Sequence, residues 1–154
     1  MRVEMKRFLI VLLCLLIVCV SALADTVYIL CQPDSFVNVR EYPVKNGRIC
    51  GRLEIGEEVE TDGIKKNGFI HLIGTGFESG DTWVNLGFVT EDPVTVRTFQ
   101  GWIESEGRVA CRRSINGTRR KWLKKNTDII VYAYAYDWSI TNHGFIQTQY
   151  IGGF

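Results

Sequence analysis

A long internal repeat constrains the fold of this chain more than any other feature. The first copy, residues 37–60, opens with Val-Asn-Val-Arg, and the second copy, from Val109, opens with Val-Ala-Cys-Arg. The copies also close alike, with TWVNLGFVT at residues 82–90 and HGFIQTQYI at residues 143–151. Their central bends differ by two residues in length, a change that a surface loop tolerates. The repeat therefore predicts two small domains of the same fold.

A predicted export signal precedes the repeat. Three basic residues lie before the apolar run 8–20, and a small-x-small cleavage site ends at Ala24. We therefore expect the signal peptide, residues 1–24, to be removed and the protein to be secreted. An uncleaved anchor helix is the alternative, although the apolar run is short for a membrane span.

The rest of the chain is predicted to be strand rather than helix. Apolar and polar residues alternate in short segments that are separated by Gly, Asn, Asp or Pro. The predicted strands are residues 27–30, 37–40, 59–61, 69–73, 83–89 and 129–138. Residues 119–125 are predicted to form a basic strand or turn, and Pro93 marks the boundary between the copies. The fold class is therefore all-β, with two tandem small barrels at residues 25–91 and 92–154.

The repeat motifs resemble those of the bacterial SH3-like (SH3b) domain. They comprise Val-x-Val-Arg, a bend with proline, a Leu-x-x-Gly-x-x-Val turn and a closing Trp-Val-x-x-x-Phe-Val. In the first copy the matching residues are Val37, Val39, Arg40, Pro43, Gly56, Val59, Trp83, Val84 and Val89. The second copy is more divergent, since Ile115 replaces the proline, Asn126 replaces the glycine, and Gly144-Phe145-Ile146 replaces Gly-Trp-Val. The resemblance implies two SH3-like barrels.

The same resemblance implies a non-enzymatic binding module. Proteins of this family are mostly exported bacterial modules that bind cell-wall peptides or target an attached hydrolase. We therefore expect a partner among cell-wall peptides or glycans. The alternative is an adaptor that presents a surface to another exported protein. Nucleic acid is not expected as a partner, and neither is stable membrane insertion after signal cleavage.

The ionisable residues also argue against an enzyme. The only histidines are His71, which alternates with apolar neighbours, and His143, which lies in a predicted turn, and both are interpreted as surface residues. No residues have the spacing of metal ligands, and no glycine-rich loop lies between a strand and a helix. We therefore expect no catalytic residue, no metal and no cofactor.

Alternating tyrosines provide the first candidate binding site. Tyr132, Tyr134 and Tyr136 project from one face of an extended strand, and small residues project from the other. If Ile129 corresponds to Val59, the small residues face the core and the tyrosines lie outside. A register slip of one residue would bury the tyrosines instead. The predicted ligand-binding aromatic residues are Tyr134, Tyr136 and Trp138, with Tyr42 and Trp83 as a second site.

Charge is divided unevenly between the copies. Twelve acidic and six basic residues lie between Asp25 and Asp92, whereas nine basic and four acidic residues follow from Pro93 onward. The basic residues cluster at 112–125, where an anion-binding face, docking against the acidic first domain and simple solvation are all open. Because the charges of the two domains oppose and the linker around Pro93 is short, we expect the domains to pack as a compact pair that loosens as salt rises. The predicted ligand-binding basic residues are Arg112, Arg113, Arg119 and Arg120.

Three cysteines follow the signal. Cys31 and Cys50 lie in the first domain, and export to an oxidising compartment favours a disulfide between them. The alternative is that both are small buried apolar residues. Cys111 takes the position of Val39, which predicts a packed free thiol.

Overall fold

The computed structural model describes residues 24–77 and 80–154, and the predicted signal peptide lies outside them apart from Ala24. Within these ranges the chain is built from fourteen strands and two short 3₁₀ turns, with no α-helix. Across the same ranges no helix is long and apolar enough to cross a membrane. The predicted all-β fold class is confirmed.

Seven strands form the sheet of the first half of the chain. Their order in the sheet is β3-β2-β6-β5-β4-β1-β7, and neighbouring strands are antiparallel. The strands are β1 (Asp25–Ile29), β2 (Val37–Arg40), β3 (Ile49–Leu53), β4 (Glu58–Lys66), β5 (Phe69–Ile73), β6 (Thr82–Asn85) and β7 (Val89–Thr90).

The second half repeats this sheet strand for strand. Its order is β10-β9-β13-β12-β11-β8-β14, which is the first order with every number raised by seven. The strands are β8 (Thr95–Ile103), β9 (Val109–Arg112), β10 (Arg119–Leu123), β11 (Asp128–Tyr134), β12 (Trp138–Thr141), β13 (Gly144–Gln147) and β14 (Ile151–Gly152). The structure is therefore two tandem small β domains, called the first half and the second half below.

The two halves keep the same turn chemistry despite their divergent sequences. The guanidinium of Arg40 donates to the carbonyl oxygen of Gly47 at 2.6 Å, and Arg112 donates to that of Gly117 at 2.8 Å, so each arginine braces the bend of its own half. Gly56 has a φ of 82°, and Asn126 at the equivalent position has a φ of 58°. Asparagine is among the few residues that tolerate this left-handed backbone, so it can replace glycine there.

Each half has its own apolar core. The first core contains Val39, Leu72 and Val84, and the second contains Cys111, Val131 and Ile146. These residues come from the inward positions of the alternating strands, with the polar neighbours on the opposite face.

Two predicted strands are interrupted. The segment predicted as strand 83–89 breaks at a 3₁₀ turn, Leu86–Phe88, because the side chain of Asn85 accepts a hydrogen bond from the amide of Gly87 at 2.8 Å. The segment predicted as strand 129–138 breaks after Tyr134, where the amide of Ala135 donates to the carbonyl of Trp138 at 2.8 Å and closes a tight turn. Strand β8 was absent from the predicted strands, since its apolar residues, Val96, Phe99, Trp102 and Ile103, do not alternate with polar ones.

A third apolar cluster joins the halves. Leu30 from the first half is buried with Trp138, Ile140 and Phe145 from the second half. The ring of Phe88 packs on Phe145 with 6.0 Å between centroids. Sequence patterning alone identified no such junction, because these apolar residues lie on the outer faces of their sheets.

Hydrogen bonds across the junction are few and neutral. The amide of Ile115 donates to the carbonyl of Gly87 at 2.8 Å, and the side-chain amide of Gln32 donates to the carbonyl of Thr141 at 3.2 Å. Every ion pair found in residues 24–77 and 80–154 lies within one half. The halves dock as expected, but the expectation that opposite charge drives the docking is wrong, because the buried contact is apolar.

Replacing Phe145 by alanine should destabilise both halves together. Removal of a fully buried phenylalanine typically costs about 3–5 kcal/mol in the free energy of unfolding, and this ring belongs to the shared cluster. Denaturant unfolding measures the loss, with Trp122→Ala as the control because Trp122 is a half-exposed aromatic residue outside the cluster.

The wild-type halves should also stay docked at about 1 M salt, where the screening length of charge interactions is only about 3 Å. A salt-dependent expansion in small-angle scattering would contradict the apolar junction.

Candidate functional site

The register of β11 decides where the tyrosines lie. Val131 is fully buried in the second core, Ala133 is fully buried in the third apolar cluster, and Ala135 is 3% exposed, with a register shift between Val131 and Ala133. Tyr134 is half-buried on the other face, and Tyr136 in the following turn is 84% exposed. Of the three tyrosines predicted to lie outside, Tyr136 is exposed, whereas Tyr134 packs partly buried against the second core and Tyr132 against the third apolar cluster.

Tyr134 and Tyr136 line an open cleft of about 700 Å³ in the second half. The cleft lies between the turn that follows β11 and the 3₁₀ turn Thr148–Tyr150. Its remaining lining combines apolar residues with polar side chains that can form hydrogen bonds. These residues are Pro93, Thr95, Ala135, Asp137, Gln147, Thr148, Gln149, Ile151 and Phe154.

Aromatic contacts and a hydroxyl network hold the cleft in shape. The ring of Tyr134 lies edge-on to Phe154 and Phe99, with centroids 4.9 Å and 6.1 Å away. The hydroxyl of Thr148 donates to the carbonyl of Ala135 at 2.9 Å and lies 2.9 Å from the hydroxyl of Ser139. A ligand would therefore meet a wall that is already ordered, which lowers the entropic cost of binding.

Trp138 does not join this cleft. It is only 6% exposed and belongs to the cluster between the halves. The prediction treated residues 129–138 as one alternating strand, but the turn after Tyr134 places Trp138 at the start of β12 instead. The assignment of Trp138 as an exposed ligand-binding residue is therefore wrong.

The second predicted aromatic pair lies on the first half, away from the cleft. Tyr42 is 57% exposed, whereas Trp83 is 9% exposed and packs against His71 with 4.9 Å between ring centroids. The predicted site thus has one accessible ring, and the structure does not bring Tyr42 and Trp83 together with Tyr134 and Tyr136.

His71 is not the surface histidine that alternation suggested. Its side chain is 16% exposed, and its Nδ1 lies 2.7 Å from a carboxylate oxygen of Asp62. Desolvation raises the pKa of the Asp62 carboxyl, but the hydrogen bonds from His71 and the amide of Ile64 outweigh it, so the pKa lies below its ordinary value. The sequence gives no signal for this pair, because Asp62, at the register shift of β4 after Thr61, meets β5 only in the folded sheet.

The basic residues divide into three groups. Arg112 is half-buried and braces the bend at Gly117, so its first role is structural. Arg119 is exposed and places its guanidinium carbon 4.6 Å from the ring centre of Trp122. Arg113 and Arg120 line a groove at the junction, together with Arg112. None of the four arginines lines the tyrosine cleft.

The predicted disulfide is not found. Cys31, Cys50 and Cys111 are all free thiols. The thiol of Cys31 donates to the carbonyl of Ser35 at 3.8 Å, and that of Cys50 donates to the carbonyl of Val39 at 3.6 Å. Cys111 is fully buried and donates to the carbonyl of His143, so the prediction of a packed free thiol at this position is confirmed.

In residues 24–77 and 80–154, no group of three or more His, Cys, Asp or Glu side chains could hold a metal ion.

No family model matches the chain, and no curated protein matches it significantly. Solved structures to which it is similar include NlpC2 and NlpC1 from Trichomonas vaginalis, each 18% identical with a TM-score of 0.36. Each alignment covers 85% of this chain, and 48% of NlpC2 and 46% of NlpC1. The chain thus spans about half the length of those two proteins.

The thiols should react slowly while the protein is folded. Desolvation, followed by the nearby Glu54 and Glu57 carboxylates, raises the pKa of Cys31 to about 11, and burial also raises the pKa of Cys50 and Cys111. In a chain that begins at Asp25, iodoacetamide at neutral pH should modify all three cysteines only after denaturant is added. Mass spectrometry without prior reduction measures this. Two cysteines that stay unmodified in denaturant would reveal a disulfide.

Replacing Lys121 by glutamine should raise the pKa of His143. Desolvation lowers that pKa below 6.5, and the positive charges of Lys121 and Arg120 lower it further, with the Lys121 ammonium 2.9 Å from Nδ1. In the wild type, stability contributed by neutral His143 should fall as the pH drops below 6.5, because the unfolded chain binds the proton more readily. An NMR titration of the imidazole measures the shift, with Lys124→Gln as the control. An unchanged pKa in Lys121→Gln would contradict the assigned cause.

Proposed function

We propose that this chain is an exported, non-enzymatic binding protein whose tyrosine cleft recognises a cell-wall peptide or glycan. The proposal includes two SH3-like barrels, which the Val-x-Val-Arg and closing motifs of the sequence support. The observation that carries the proposal is the cleft itself. It combines the ring of Tyr134, which is held by its contact with Phe154, with the exposed ring of Tyr136, and polar side chains surround both rings.

The side chains of the cleft suit a ligand that has both apolar faces and many hydrogen-bonding groups. A tyrosine ring offers a flat apolar surface at little entropic cost, and its hydroxyl stays available to water or ligand. Gln147, Gln149 and Asp137 add amide and carboxylate groups around the rings. Sugar rings and short peptides present this mixture of surfaces, whereas a purely apolar ligand would leave the polar rim unpaired.

The proposal assigns recognition to the cleft and no chemical step. Its lining consists of tyrosine, amide, hydroxyl and apolar side chains with one carboxylate, so a nucleophile paired with a base is not among them. The buried thiols lie in other parts of the fold, and their raised pKa keeps them protonated at neutral pH.

Replacing Tyr136 by alanine should weaken wall binding about thirtyfold, which corresponds to about 2 kcal/mol for an aromatic residue at the centre of a site. Tyr136→Phe keeps the ring and should retain most of the affinity. Sedimentation of the protein with purified peptidoglycan measures binding. Ile64→Ala is the control, because Ile64 is an exposed apolar residue of the first half, outside the cleft.

Two outcomes would decide against the proposal. If the wild type does not sediment with peptidoglycan, the alternative of an adaptor for another exported protein replaces wall binding. If the wild type sediments and Tyr136→Ala matches it, the wall ligand binds elsewhere on the protein. Circular dichroism of each variant confirms that the fold is intact.

A further inference from the structure

A second groove, of about 350 Å³, runs along the junction between the halves and is separate from the tyrosine cleft. One wall comes from the first half and includes Gln32, Ser35 and Phe36. The other wall comes from the second half and includes three arginines, Arg112, Arg113 and Arg120. The groove exists only because the apolar cluster holds the two walls together.

The arginines of the groove are not paired with acidic residues in the described part of the chain. The lining of the groove contains no aspartate or glutamate. In the part of the chain that the structure describes, none of the three arginines belongs to an ion pair. Arg52 adds a further positive charge beside the groove, because its guanidinium carbon lies 4.0 Å from the ring centre of Phe36. Four guanidinium groups therefore lie at or beside the groove. The Glu54 and Glu57 carboxylates act on the thiol of Cys31 in the opposite wall, but in the described part of the chain they form no ion pair with these arginines.

The first half shows that this concentration of charge is not a property of the repeat. Strands β2 and β3 shift register at Cys50, and strands β9 and β10 shift at the equivalent Arg120. Arg113 likewise corresponds to Glu41, the residue that follows the bracing arginine of the first half. Glu41 lies 3.7 Å from Arg48 in an ion pair. Two positions that are acidic or neutral in the first half are thus arginine at the groove.

The groove also contains the groups that complete an anion site. Guanidinium groups donate paired hydrogen bonds that match the oxygens of a phosphate. The Ser35 hydroxyl on the opposite wall can donate a further bond. The lowered pKa of His143 agrees with an unneutralised positive field, since Arg120 and Lys121 contribute to it after desolvation.

We propose that the junction groove binds a phosphate group of an anionic polymer such as a poly(glycerol phosphate). The groove seats one phosphate between the two halves. The exposed basic strand β10 continues from it, so Arg119 and Lys121 meet later phosphates of the same polymer. This site is independent of the proposed function of the tyrosine cleft, because the two linings share no residue.

The test compares two double variants that remove equal charge. Arg113→Gln with Arg120→Gln removes both exposed arginines from the groove wall, whereas Lys65→Gln with Lys66→Gln removes two exposed basic residues of the first half, outside the groove. Arg112 is left intact because it braces Gly117. Titration calorimetry with soluble poly(glycerol phosphate) should show at least a tenfold loss for the groove variant and less than about a threefold loss for the control. Inorganic phosphate should raise the melting temperature of wild type and control but not of the groove variant.

Three results would overturn the proposal. Equal losses in the two double variants would indicate diffuse charge attraction rather than a site. Binding of polyglutamate as tight as that of poly(glycerol phosphate) would exclude the phosphate assignment. Binding to vesicles that contain anionic phospholipid but not to the soluble polymer would assign the groove to a membrane surface. Tyr136→Ala should bind the polymer as the wild type does, so failure of the tyrosine cleft and failure of the groove are distinguishable.

Discussion

The apolar contact between Phe88 and Phe145 is the interaction on which the rest of the structure depends. Each half has a core of its own, but a domain of roughly 65 residues buries little apolar surface, so a shared cluster adds stability that neither core supplies alone. The same contact brings the Gln32 loop opposite Arg113 and Arg120 and so creates the arginine groove. It also buries Trp138, which fixes the start of β12 below the tyrosine turn.

Because the two copies of the repeat have diverged, the two halves contribute different surfaces to the junction. The first half turns Leu30 and Phe88 toward the junction, with Ile55 packed beside them. The equivalent residues of the second half are Glu104, Tyr150 and Lys125, as the matching backbone bonds of Leu30 to Phe88 and of Glu104 to Tyr150 show. Glu104 and Lys125 thus replace Leu30 and Ile55, so the second half does not repeat the apolar surface that the first half contributes to the junction.

Sequence patterning predicted what depends on local alternation and failed where distant surfaces meet. The inward residues of β2 and β9 follow from short-range periodicity, and the equivalence of Gly56 and Asn126 follows from the repeat. The partial burial of Tyr132 and Tyr134 did not follow, because each packs against an apolar cluster. The burial of Trp138 did not follow, because a turn within an alternating segment leaves the alternation unchanged. The opposite net charges predicted that the halves dock but not what holds them together. Net charge is summed over a whole domain, whereas docking depends on the residues in contact at the junction. The groove combines residues about 80 positions apart, for which one sequence gives no signal.

Hydrogen exchange at the amide of Ile115 tests the apolar junction most directly, because this amide donates to the carbonyl of Gly87 across it. If the junction holds the halves as one body, the Ile115 amide should exchange as slowly as the amides of the central strands β6 and β13. Its protection relative to theirs should also stay constant from about 0.05 to about 1 M salt. Fast exchange at Ile115 while β6 and β13 remain protected, or a loss of its protection as salt rises, would contradict an apolar junction.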